Sequence, residues 1–521
     1  MYLRTIFLTL IFIFFHFSSS SSKPRSMEWT QSDSSALKAL SGIIHLFKFS
    51  SDRIWPHYDL SKRAFIFYLP DRWTLFVNES KNVTEFEPYP KDWPNIGTPA
   101  LFHRGRYNNL SGQLEFNYEI DSLQTVAIGL PLEMLHTFPH PEAYLFGFIA
   151  HEAFHQYQYD SFADIPWARE ERYPILNNEN IAYAYIEMQL LVDAVQSAYQ
   201  NNTRAVEKYL KQFVAVRNYR WHHLDPFIKE FEQGLEIREG TAQYVQVKCL
   251  ELFKELPTEE MNNELALEFS KDLASVSMPD YLIDDFQNRF SNNSVSPDDM
   301  ARNRIYPVGS ALGLLLDFLK IDWKEKAQNF PEEFEFATIL GNQFHLNNDE
   351  LTGLLQEAKA VYSFNDVLSS TKKVVEVYLN EYHAELDSFH AQSGKRIEIS
   401  FSYTGISRSR SKSVKQYTID AGRISFCEKY NLYKLKNDNL SFSIQNSGLY
   451  EENDWDGKSK RIVFYTPNIS SLSLDKKKYD IDETVEIHFG QIDCKGSNFD
   501  FSYTGSGNIS LKKQRIVIEL E

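Results

Sequence analysis

Residues 144–156 read Tyr-Leu-Phe-Gly-Phe-Ile-Ala-His-Glu-Ala-Phe-His-Gln, and the character of the chain changes on either side of them. Before about residue 130, short aromatic and β-branched runs read as strands: 65–69 and 73–77, separated by Pro70 and Asp71, then 114–120 and 125–128. From Pro141 to about Phe389 the apolar period is helical, with three- and four-residue spacing over 181–198, 227–253, 310–319 and 366–389. After Ser393 and Gly394 the alternation becomes strand-like at 397–403, 417–419, 440–444, 461–465, 485–489 and 515–520. The expected fold is α+β. A helix-rich domain with a small N-terminal β-sheet spans 23–392, and an all-β sandwich spans 393–521.

Within the helical stretch, His151 and His155 stand four apart and so share one helix face, where two imidazoles can ligate one metal ion. Glu152, one step round from His151, reaches a metal-bound water rather than the metal. Zinc suits two neutral imidazoles and a carboxylate, and an open fourth position acidifies water to a pKa of about 7. Glu152 is then the general base that takes the water's proton and the acid that returns it to a leaving amine. Three carboxylates compete for the third ligand position: Glu239 in 235–245, Glu236 one turn earlier, and Glu179 in 178–182.

The pattern Glu239-Gly240-Thr241-Ala242-Gln243-Tyr244, with His151-Glu152-Ala153-Phe154-His155 before it, resembles the gluzincin branch of the zincin metallopeptidases, the peptidase MA-like group. The resemblance implies that Glu239, on a second helix, is the third zinc ligand. Gly240 is then expected to let that helix approach the histidine-bearing helix closely. Glu179 lies nearer the short spacing of thermolysin-like and aminopeptidase N-like enzymes but lacks the following glycine. Downstream, the segment 304–317, with Tyr306 and Gly309, is similar to the Tyr-x-x-Gly…Leu-Asp segment of glycyl-aminopeptidase-like gluzincins. That likeness makes Tyr306 a hydrogen-bond donor to the oxyanion, or else simply a tyrosine at the start of a core helix. Arg302 and Arg304 are candidates to hold a substrate carboxylate, and His222 and His223 are candidates to polarise the carbonyl. The strand 125–128 stands where zincins have a substrate-aligning edge strand, to which an extended peptide adds by backbone hydrogen bonding. The likeness spans roughly residues 120–320 in order and type.

Composition bounds the partners. The chain has 521 residues, 43% hydrophobic, and a net charge of −17, which repels a polyanion and argues against nucleic acid. Residues 1–22, with Arg4 ahead of an apolar run at 6–17 and then a serine run, read as an export signal too short for a membrane span. Secreted, periplasmic or lumenal placement follows as an expectation. Sequons at Asn78, Asn82, Asn109, Asn201, Asn292, Asn439, Asn468 and Asn508 agree with it in a eukaryotic source. Of the three cysteines, Cys427 and Cys494 lie in the same C-terminal region and could form one disulfide in an oxidising compartment, and Cys249 reads as a buried thiol. The basic run Arg408, Arg410, Lys412, Lys415 reads as a solvated hairpin loop, and the Phe-Ser-Tyr-Thr-Gly at both 401–405 and 501–505 as two similar strand ends. The expected activity is zinc-dependent hydrolysis of peptide or protein substrates. The rival readings are a degenerate scaffold that binds a partner through its sandwich, and a zinc hydrolase of a non-peptide amide or ester.

Overall fold

The computed structural model describes residues 29–521 apart from 82, 109, 111–113, 131–139, 413, 421, 455–456 and 482–483. The export signal and the sequons at Asn82 and Asn109 lie outside the described residues. The chain divides into two compact units, one of residues up to 168 with 178–371 and one of 169–177 with 372–521. The division near residue 371 falls inside helix Phe364–His390 rather than at 392/393. None of the helices among the described residues is long and apolar enough to cross a membrane.

The first unit opens on a helix, α1 (Gln31–Ile54), where the sequence reading expects strands. Its signal is local. Thr30 caps Asp33 N while the Asp33 carboxylate bonds Thr30 N at 2.7 Å, a capping box that starts the helix. Ala36, Leu37, Leu40, Ile43, Ile44 and Phe47 then recur at helical spacing and are all buried. Asp33 also accepts from Arg72 Nε at 2.7 Å and Trp73 Nε1 at 2.8 Å, which pins the helix to the hairpin that follows.

The expected small sheet is present: β1 (Phe65–Leu69), β2 (Trp73–Val77), β3 (Glu87–Pro88), β4 (Ala100–Arg104), β5 (Leu114–Ile120) and β6 (Leu123–Gly129), in the order β3-β4-β2-β1-β6-β5. All residues of β1 and β2 are buried, as strands covered on both faces must be. The strand 125–128 is not an edge. It lies within β6, paired in parallel to β1 and antiparallel to β5, so its backbone groups are already used and the edge is β5.

Helices follow: α2 (Pro141–Ser161), the hairpin of α3 (Asn178–Tyr199) and α4 (Thr203–His223), α5 (Phe227–Leu235), a π turn (Glu236–Gly240) and α6 (Thr241–Glu255). Then come α7 (Glu264–Leu273), α8 (Met278–Gln287), the single-turn α9 (Pro297–Met300) and α10 (Ile305–Phe318). α2 is buried around most of its circumference, and its apolar residues accordingly do not fall on a single stripe. It packs on α6, and α10 packs on both α6 and the π turn.

The first unit also holds the short hairpin β7 (Phe290–Ser291) and β8 (Ser294–Val295). The second unit is all-β after its helical residues, with strands β9 (Lys395–Ser402), β10 (Ser407–Lys412), β11 (Gln416–Ile419), β12 (Ile424–Lys436), β13 (Leu440–Asn453), β14 (Ser459–Thr466), β15 (Ile469–Leu474), β16 (Lys477–Lys478), β17 (Val485–Gly496), β18 (Phe499–Lys512) and β19 (Arg515–Leu520). Its strands join one continuous ladder rather than two separate sheets, and the ladder closes where β13 (Leu440–Asn453) pairs with β18 (Phe499–Lys512). The meander β12 (Ile424–Lys436), β13, β14 (Ser459–Thr466) is matched by a second, β17 (Val485–Gly496), β18, β19 (Arg515–Leu520). The two share Phe-Ser-x-x-x-Ser-Gly at 442–448 and 501–507 and Arg-Ile-Val at 461–463 and 515–517. They meet antiparallel about the pair Phe442 and Phe501. Each long strand changes partner near its Ser-Gly. A Cβ on Gly448 would lie 2.8 Å from Glu428 O, and one on Gly507 would lie 2.7 Å from Glu519 O. The strand with which residues 501–503 pair is the one carrying 440–442, not the one carrying 401–405. β9 (Lys395–Ser402) completes the closure between β14 and β19.

Three smaller expectations are corrected here. Cys427 on β12 and Cys494 on β17 are separate buried thiols, because β13 and β18 stand between their strands; Cys249 is a buried thiol as expected. The basic run is not a loop: Arg408, Arg410 and Lys412 lie on β10 (Ser407–Lys412), with Arg408 Nη2 3.1 Å from Glu171 Oε1. Asn78 uses its amide within the fold, donating to Leu60 O at 2.9 Å and Arg63 O at 2.7 Å, so that sequon is poorly placed for modification.

Candidate metal centre

One turn of α2 separates His151 and His155, and their Nε2 atoms lie 3.0 Å apart. Glu239 Oε2 stands 3.6 Å from His151 Nε2 and 3.4 Å from His155 Nε2. A triangle with those sides has a point about 2 Å from every corner, the bond length an imidazole- and carboxylate-bound divalent ion requires. The three side chains can hold a metal ion, and all three are at least largely buried.

The choice between Glu236 and Glu239 is made by the π turn. In a regular α-helix two residues three apart share a face. The wider turn of Glu236–Gly240 rotates them apart. Glu239 reaches the histidines, while Glu236 Oε1 accepts from Arg217 Nη1 at 2.7 Å. Glu179, the third candidate, is exposed in the first turn of α3 and is not part of the group.

Gly240 has a role different from the one expected of it. A Cβ there would lie 2.9 Å from Gly309 Cα, and a Cβ on Gly309 would lie 2.2 Å from Gly240 Cα. The glycine pair thus brings the π turn against α10, which carries Tyr306, and not against the histidine helix. α2 makes its own close approach elsewhere, at Gly147, where a Cβ would lie 2.8 Å from Gln246 Cγ.

Tyr306 is brought to the centre, its ring centroid 5.8 Å from that of His151. Arg302 Nη1 lies 3.1 Å from Glu239 Oε1 and 3.3 Å from the Tyr306 hydroxyl oxygen. Glu239 therefore has one oxygen toward the histidines and the other on a guanidinium. Arg304 does not face substrate. It is fully buried, donating to Met300 O at 2.8 Å and pairing with Glu232. His222 and His223 are exposed at the end of α4, bonded to the carbonyls of Asn218 and Tyr219 on their own helix.

Burial dominates the electrostatics. It pushes the Glu152 carboxyl above its usual range, against the opposing pull of His151 and His155. It pushes Glu239 up as well, but hydrogen bonds to both histidines and the charge of Arg302 outweigh it, and that carboxyl sits well below the usual range. Burial lowers the His155 imidazole, yet Glu239 more than offsets this and raises it.

Beyond the π turn lies a buried ionic network that the sequence reading did not single out. Arg217 Nε donates to Glu187 Oε2 at 2.8 Å, and Arg220 donates to Glu187 at 2.8 Å and to both Glu232 oxygens at 2.6 Å. Trp221 Nε1 adds a donor to Glu232 at 2.7 Å, and Asn180 accepts from Arg220 at 2.8 Å. With Arg304 and Glu236, three arginines balance three glutamates across α3, α4, α5, the π turn and the start of α10. A signal existed in the regular spacing of Arg217, Arg220 and Glu187 on apolar helix faces.

No family model, curated protein or solved structure matches this chain. The reading of the site rests on its own geometry.

Proposed function

We propose that the chain is an exported, zinc-dependent metallopeptidase of gluzincin type. The observation that carries this is the meeting of His151, His155 and Glu239 at metal-ligand separations, with buried Glu152 beside them. Two neutral imidazoles and a carboxylate form a donor set suited to zinc, which when bound supplies Lewis acidity to polarise a carbonyl and acidify water. Glu152 is not in the ligand group; it takes the proton from the attacking water and delivers it to the leaving amine. Tyr306 receives a hydrogen bond from Arg302 and lies within hydrogen-bond reach of Glu239; turned from that carboxylate toward substrate, its phenol hydrogen donates to the oxyanion. Arg302 also holds Glu239 by the oxygen that the histidines do not face.

Elemental analysis of the purified protein tests the proposal together with a peptide-cleavage assay. About one zinc per chain is expected, with cleavage abolished by a chelator and restored by added zinc. A chain that holds zinc stoichiometrically yet cleaves no peptide in a mixed library would overturn the peptidase reading. So would cleavage that survives complete removal of metal.

A further inference from the structure

Gln158 stands on α2 one turn beyond His155, is buried, and takes no part in the chemistry proposed above. The two ends of its amide have different neighbours. Nε2 lies 3.1 Å from Ile237 O, 2.9 Å from Arg238 O and 2.8 Å from Thr241 Oγ1. Carbonyl oxygens only accept, and the Thr241 hydroxyl gives its own hydrogen to Ile237 O at 2.6 Å. This end of the amide must therefore be the NH2. The other end is then the carbonyl oxygen, 2.7 Å from His155 Nδ1, and it can only accept. It follows that His155 carries its proton on Nδ1 and turns the lone pair of Nε2 toward Glu239 and His151. His151 has no such support: its Nδ1 is buried without a hydrogen-bond partner among the described residues.

We infer that Gln158 is a positioning residue of the metal centre, acting on two ligands at once. Its oxygen sets the tautomer of His155. Its nitrogen ties α2 to the carbonyls of Ile237 and Arg238 in the π turn that aims Glu239. The inference rests on the metal reading of the triad and adds a named device for its assembly.

The test separates the two functions of the amide. Gln158→Met is close in shape and has neither a strong donor nor a strong acceptor. Gln158→Glu keeps an acceptor toward His155 but turns a carboxylate onto two carbonyls. Zinc affinity, measured by chelator competition, is expected to fall about 10- to 100-fold in Gln158→Met. In Gln158→Glu it should also fall, while the Nδ1–H signature of His155 persists. That signature is read in the nitrogen NMR spectrum of 15N-histidine-labelled apoprotein at alkaline pH, assigned by its loss in His155→Gln. The wild-type spectrum needs no variant to fold. An Nε2–H tautomer for His155 in the apoprotein overturns the inference, as does a folded Gln158→Met that binds zinc within about twofold of wild type. A wild-type chain that binds no zinc would sink the metal reading itself, and the tautomer measurement would still decide what Gln158 does to His155.

Discussion

Glu152→Gln is expected to retain its full zinc complement and to lose about 10²- to 10⁴-fold in kcat, the range a positioned general base supplies. The substitution is nearly isosteric. It leaves the three ligand atoms where they are, because Glu152 is outside the His151, His155, Glu239 group. What it removes is a carboxylate able to accept a proton, at a buried position that His151, His155, Glu239 and Arg302 all influence electrostatically. KM should change little, since the proton is taken after substrate has bound. The check is steady-state cleavage of one good peptide alongside metal content. A variant with wild-type kcat ends the assignment of Glu152. A variant that loses its zinc would instead place Glu152 among the ligands.

Removing Glu232 is expected to cost about 3–5 kcal/mol of stability, as for any buried ion pair that loses one partner. Glu232→Ala leaves Arg220 and Arg304 buried against each other with one carboxylate fewer, and leaves the Trp221 indole N–H without its acceptor. The pH dependence carries a sign. Burial pushes the Glu232 carboxyl up, but Arg220 and Arg304 pull it down further, so it titrates below the usual carboxylate range when folded. A group depressed in this way contributes its stability fully above its unfolded value, about 4.3, and loses it as pH falls below that. Urea denaturation of wild type and variant at neutral pH and near pH 4 should therefore show the gap narrowing in acid. Equal midpoints at neutral pH would show that the network is dispensable, and a gap that widens in acid would reverse the sign argued here.

Much of the centre is legible in the chain, for a physical reason. His151, Glu152 and His155 lie within one helical turn, where spacing alone dictates which side chains meet. Glu239 is harder to read, because its orientation depends on one extra residue in the helix ladder, and nothing in 235–245 announces a π turn. Gly240 shows the same limit: its need for a close neighbour is readable, but the identity of that neighbour, Gly309, belongs to tertiary packing. Gln158 went unread because an amide three residues past a ligand has many possible partners until the π turn is in place. In the fold, strands form at every run the alternation singled out, but also at 100–104, 407–412, 424–436 and 499–512, which it did not, and α1 is hidden by a serine-rich sequence whose capping box outweighs its composition. The interior position of 125–128 could not be read at all, since strand order is set by pairing and not by pattern.

The pairing of the two meanders in the second unit has a consequence for its open strand edges. Leu440–Asn453 pairs along most of its length with Ile424–Lys436, but on its other edge Ser459–Thr466 takes up only Tyr450 to Asn453, and unpaired backbone on the rest of that edge would be open to a neighbouring molecule. Here the stretch Leu440 to Ile444 is covered by Phe499 to Tyr503, which shares its Phe-Ser and runs the opposite way. The unit is in effect a homodimer written into one polypeptide. The partner that would otherwise come by collision is supplied in fixed stoichiometry, and the isologous contact is filled before a second chain can reach it.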